Sequence, residues 1–95
     1  MTELERLKKY LEEHKIPHEV KREEYGGIVF RNQIIVHNGE GKRLWDVICQ
    51  YGSYGFEEGL LEGMNLPGGD DSLDVEGWLA ADEIIKRLEE HRWGC

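Results

Sequence analysis

Gln33-Ile34-Ile35-Val36-His37, then Asn38-Gly39-Glu40-Gly41, then Arg43-Leu44-Trp45-Asp46-Val47-Ile48-Cys49: the relation between these three runs decides the fold. The outer two are rich in β-branched and aromatic residues, and the middle one is dominated by Asn and Gly, which tolerate positive φ. The pattern therefore predicts a β-hairpin. Pairing Asn38 with Arg43 across a four-residue loop sets Val36 opposite Trp45, Ile34 opposite Val47 and Asn32 opposite Cys49. That register gathers Val36, Ile34, Trp45, Val47 and Cys49 on one apolar face able to receive helices. It leaves His37, Ile35, Gln33, Leu44, Asp46 and Ile48 on a mixed, partly solvated face. A one-residue slip would turn Ile34 and Val36 away together with Asp46, so the four-residue loop is preferred.

Working outward toward the N-terminus, Thr2 and Glu5 have the spacing of a capping box, and Leu4, Leu7 and Leu11 recur on one face behind it. An amphipathic helix follows, and Pro17 predicts its stop near His14 or Lys15. His18 to Tyr25 reads as an edge strand guarded by Lys21, Arg22, Glu23 and Glu24. Gly26-Gly27 then breaks the run, and Ile28 to Arg31 fits either a loop or more strand. Toward the C-terminus, Glu57 to Met64 reads as a short middle helix with Leu60, Leu61 and Met64 on its apolar side. Its glycines, Gly59 and Gly63, imply close packing of the backbone. Leu66 to Ser72 is a loop, and a last helix places Ala81, Ile84, Ile85 and Leu88 on one face, ending near Trp93-Gly94. The expected fold is α+β: a small antiparallel sheet of about three strands with a central hairpin, covered on one face by the two terminal helices and the middle helix. No repeat or composition break divides the chain, so residues 1–95 are read as one domain.

Ninety-five residues leave room for one core, and an enclosed substrate chamber would compete with it for the same apolar residues, which favours a shallow groove or an exposed face. No apolar run reaches the ~18 residues of a membrane-spanning helix, and Met1 to Arg6 lacks a signal-peptide layout. Two cysteines make no disulfide framework. The expected location is cytoplasmic. The net charge of -8 is unevenly distributed. Met1 to Arg43 holds nine Lys or Arg against eight Asp or Glu, whereas Leu44 to Ile85 holds ten acids and no Lys or Arg. Such a block repels phosphate backbones and attracts basic surfaces, so direct nucleic-acid binding is disfavoured. The plain alternative is an acidic face that only keeps the protein in solution.

Catalytic and metal patterns are thin. Cys49 and His37 are the one obvious thiol and imidazole pair, yet the register puts them on opposite hairpin faces, and an apolar run suits a small buried thiol. His14 and His18 are split by Pro17, and His91 and Cys95 end the chain, so neither pair makes a convincing zinc site. Asp70 to Glu76 offers oxygens to a cation but lacks the glycine and bidentate glutamate positions of an EF-hand. The glycines at 52, 55, 59 and 63 match no phosphate-binding pattern, and no cofactor is expected. What remains is the aromatic, glycine-rich segment Tyr51 to Phe56 with acids around it, suited equally to recognition or to half-burial over a small core.

From Trp45-Asp46-Val47-Ile48-Cys49-Gln50-Tyr51-Gly52-Ser53-Tyr54-Gly55, through Glu58-Gly59-Leu60-Leu61-Glu62, to Val75-Glu76-Gly77-Trp78-Leu79, the chain resembles small uncharacterised proteins encoded in phages and prophages of Gram-positive gut bacteria. The resemblance implies a genomic setting and no chemistry. The function expected is that of an acidic accessory protein engaging a basic protein partner through the 44–85 region. Tyr51, Tyr54, Phe56, Glu57, Glu58, Glu62, Asp70, Asp71, Asp74 and Glu76 are its candidate contact residues. A small enzyme using Cys49 or the carboxylates, and a homodimer whose shared face completes the core, are the alternatives.

Overall fold

A computed structural model of the chain describes residues 1–68 and 75–91. Helix α1 (Glu3–Glu13) opens on the capping box: Thr2 Oγ1 accepts from the Glu5 N–H at 3.1 Å, and the Glu5 carboxylate accepts from the Thr2 N–H at 3.4 Å. Its end is equally local. Lys15 adopts φ 54°, and the N–H groups of Lys15 and Ile16 return to the carbonyls of Glu12 and Leu11, closing a Schellman motif. Pro17 then releases the chain into strand β1 (His18–Tyr25).

Five strands form one antiparallel sheet in chain order: β1, β2 (Ile28–His37), β3 (Arg43–Ile48), β4 (Leu61–Met64) and β5 (Val75–Leu79). Ile28 to Arg31 is therefore strand. Gly26 and Gly27, both at positive φ, make the two-residue turn that joins β1 to β2. In the central hairpin Val36 lies opposite Trp45 and Ile34 opposite Val47, as the apolar pattern requires, and the Cys49 N–H donates to the Asn32 carbonyl.

The hairpin tip differs from the expectation by one residue. Asn38 Oδ1 accepts from the N–H groups of both Glu40 and Lys42 at 2.9 Å, and the Asn38 N–H donates to the Lys42 carbonyl. This tightens the loop, moves His37 opposite Arg43, and leaves Leu44 as a bulge residue that packs against the core rather than on the mixed face. That face is also less solvated than its composition suggests. Ile35 and Asp46 are both buried on it; Asp46 Oδ2 accepts from Gln33 Nε2 at 2.8 Å, and Arg43 Nη2 stands 2.8 Å from the other oxygen.

The larger correction concerns residues 57–64. The middle helix is absent: a 3-10 turn (Phe56–Glu58) leads into β4, so the sheet has five strands and the described residues hold two α-helices. Gly63 explains the preference. A Cβ there would collide with the Leu66 side chain, and the space is needed because Leu66 folds over β4. β5, which carries Trp78 and Leu79, supplies the partner that lets so short a strand persist.

Helix α2 (Ala81–Glu90) buries Ala81, Ile84 and Leu88, with Ile85 partly covered; it stops at Glu90, and Trp93-Gly94 lies outside the described residues. Its own cap position, Ala80, has no side chain to offer. Glu3 of α1 substitutes, accepting from the Ala81 N–H at 2.8 Å, while Arg6 reaches Asp82 at 2.9 Å. Both helices lie on the same sheet face, against Ile34, Val36, Trp45, Val47 and Leu61. No helix among the described residues is long and apolar enough to cross a membrane.

Trp45 is 1% exposed in the middle strand. Trp45→Ala is expected to cost about 3–5 kcal/mol, a large share of a small domain's stability, measured by urea or thermal unfolding. An unchanged melting temperature would refute the packing described.

Candidate functional site

The connection between β3 and β4 holds the features that the fold does not use for its core. Gln50 anchors its start: its side-chain oxygen accepts from the Asn32 N–H at 3.1 Å, and Ser53 Oγ donates to its carbonyl at 2.7 Å. The Tyr51 N–H donates to the Val29 carbonyl at 2.8 Å, which seats the loop beside β2. The Tyr54 N–H then donates to Glu62 Oε1 at 3.0 Å, and Gly55, at φ 94°, turns the chain into the 3-10 turn. With its backbone tied at these points, the loop directs Tyr51 and Tyr54 outward, 65% and 55% exposed.

The opposite wall comes from β5. Between Leu61, paired with Leu79, and Gly63, paired with Glu76, the register shifts, so Gly77 and Trp78 together oppose the single residue Glu62. Trp78 sits at φ 54°, a conformation uncommon for any residue with a Cβ and most strained for bulky ones, and its side chain is 58% exposed. Gly77 makes room for Tyr54, since a Cβ on it would strike the Tyr54 Cβ. Tyr54 can therefore stack on the Trp78 indole with ring centroids 5.2 Å apart and planes inclined at 28°. Between loop and strand runs an open groove of about 480 Å³, lined by Tyr51, Tyr54, Phe56, Glu57, Glu58 and Trp78. Beyond Tyr51 the aromatic surface continues through Phe30, at 6.4 Å, to Tyr25, a further 6.2 Å on.

Of the sequence candidates, Tyr51, Tyr54, Phe56, Glu57 and Glu58 converge on this groove. Glu57 and Glu58 are exposed, and among the described residues neither pairs with a cation. Glu62 holds the loop backbone instead. Glu76 forms a bidentate pair with Arg87 at 2.9 and 2.7 Å, and Arg87 also donates to the Pro67 carbonyl, tying α2 to the sheet. Asp70, Asp71 and Asp74 lie outside the described residues, as does the loop reading for residues 69–72. Trp78 is the residue that sequence reasoning missed. Its signal was faint: a large aromatic directly after a glycine and outside any apolar period.

Cys49 and His37 stand far apart. Cys49 faces Asn32 while His37 lies five residues further along β2, about 17 Å at ordinary strand rise. His37 Nε2 is instead 3.3 Å from Glu19. His14 caps α1 against the Tyr10 ring, and His18 Nδ1 lies 2.7 Å from the Ile16 carbonyl. Cys95 falls outside the described residues.

Two measurements separate display from structure and chemistry. Trp78→Gly removes left-handed strain of about 1–2 kcal/mol and a ring stack of about 0.5–1.5 kcal/mol, so the melting temperature should move far less than in Trp45→Ala. A comparable loss would make Trp78 a structural residue. Burial pushes the Cys49 thiol up, which shrinks its thiolate fraction at neutral pH. Alkylation of Cys49 should accordingly be slow at pH 7 and accelerate at alkaline pH; rapid labelling at pH 7 would contradict this. No protein-family model, curated protein or solved structure matches the chain.

Proposed function

We propose that this protein is a binding module whose recognition surface is the groove between the β3–β4 connection and β5, and whose partner is a basic polypeptide. The observation that carries the reading is Trp78. A tryptophan held at φ 54° and largely exposed contributes little to the core while its backbone conformation disfavours it, so its place in the protein is best explained by what it contacts outside. Tyrosine and tryptophan supply large, stiff contact areas of the kind that dominate protein interfaces.

Charge selects the partner. Glu57 and Glu58 rim the aromatic floor, and the surrounding Leu44 to Ile85 stretch contains no Lys or Arg. Aromatic platforms also suit single-stranded nucleic acids, but those sites join the rings to a positive groove, and here the rim is negative. Symmetric pairing of two grooves in a homodimer would bring the same carboxylates face to face. Catalysis has less support: among the described residues no histidine or cysteine lines the groove. An accessory role in a phage or prophage setting, as the sequence resemblance implies, accords with a module that acts by occupying another protein's basic surface.

The test is a binding measurement with a short peptide of mixed Lys, Arg and Gly residues, at low and moderate salt. Charge reversal at Glu57 and Glu58 should slow association and flatten its salt dependence, whereas Trp78→Gly or Tyr54→Ala should chiefly raise the dissociation rate. If the double reversal leaves salt dependence intact, or if oligothymidine binds in place of the peptide, the reading fails.

A further inference from the structure

Resting on that reading, we infer that the groove recognises an arginine side chain in particular, by stacking the guanidinium on Trp78 and pairing it with Glu57 or Glu58. The geometry of the aromatic wall carries this. Tyr54 stacks against one face of the indole, at 5.2 Å and 28°, so at most a single flat face of Trp78, which lines the groove, is left for a ligand. Tyr51 presents itself edge to face with Phe30, at 6.4 Å and 60°, and is thus engaged with the neighbouring ring. A cage for a rounded alkylammonium head needs several ring faces converging on one point, whereas one flat face with carboxylates at its rim suits a planar cation.

Guanidinium meets both requirements at once. It stacks on an aromatic face, sheds water more readily than an ammonium, and presents a fork of N–H donors in its own plane, where a carboxylate at the rim can accept two of them. Lysine has the charge without the plane; a neutral ureido group has the plane without the charge. Stacking beside Tyr54 adds a second benefit. The ring pair is already formed and Gly77 holds it close, so little side-chain freedom remains to be lost when the ligand arrives. Glu57 and Glu58, adjacent in the 3-10 turn, offer two alternative acceptors as the side chain slides along the groove.

Three matched peptides of alternating Gly and Ser around three arginines, three lysines or three citrullines test the idea. Binding is followed by calorimetry and by the Trp78 indole N–H signal. The arginine peptide should bind about five-fold or more tightly than the lysine peptide, with the citrulline peptide weakest. Trp78→Gly, chosen because glycine accepts the local φ, should bring the arginine to lysine ratio near one, while Trp78→Tyr should retain part of it. Glu57→Gln with Glu58→Gln should weaken both cationic peptides. Equal, salt-sensitive binding of the arginine and lysine peptides would overturn the arginine inference and leave the basic-partner reading standing. Preference for citrulline, or no binding by any peptide at millimolar concentration, would overturn both.

Discussion

Everything in the fold depends on burying the apolar face of β3. It is the middle strand of five, and Trp45 and Val47 lie in the core that it shares with both helices, almost wholly removed from water. A tryptophan in that position contributes several kcal/mol through area and packing, but only if both neighbouring strands and both helices are in place. The helices must therefore sit on one face. That geometry sends every second residue of the sheet toward the other, which carries no helix among the described residues and is closed locally by the Gln33, Asp46 and Arg43 cluster.

The acidic stretch serves several ends once folded. Asp46 is buried beside Gln33 and Arg43, Glu62 holds the Tyr54 backbone, Glu76 grips Arg87, and Asp82 meets Arg6. Half-buried bidentate pairs such as Glu76 with Arg87 lend geometric specificity, fixing where α2 meets β5. Among the described residues of the stretch, Glu57 and Glu58 are the acids that line the aromatic groove. A charge block in sequence is thus divided in space between acids held in structural contacts and the exposed pair beside the aromatic side chains.

Strain and display meet at the same place. The bulge opposite Glu62 rotates Trp78 out of the ordinary strand alternation, and Gly77 lets Tyr54 close onto it. Bulges near sheet edges commonly re-aim a side chain in this way. The cost of the left-handed tryptophan is borne by β5, which hydrogen-bonds to β4 on one side and hands the chain directly to α2.

The sequence by itself determined what short-range chemistry controls. Thr2 and Glu5 start α1, Pro17 ends it, and the alternation of Ile34, Val36, Trp45 and Val47 sets the hairpin register, because each signal involves neighbours along the chain or one unambiguous period. Tertiary structure decided the rest. Leu61 to Met64 is too short for its periodicity to separate strand from helix, and only the contact of Gly63 with Leu66 and the pairing with β5 resolve it. The cap of α2 comes from Glu3, nearly the whole chain away, and the burial of Asp46 needs Arg43 beside a bulge that no local rule specifies. The groove belongs to the same class: Tyr51, Tyr54 and Phe56 stood out in sequence, but Trp78 joins them only because two strands pair out of register, and pairing energies between distant segments are not written in either segment alone.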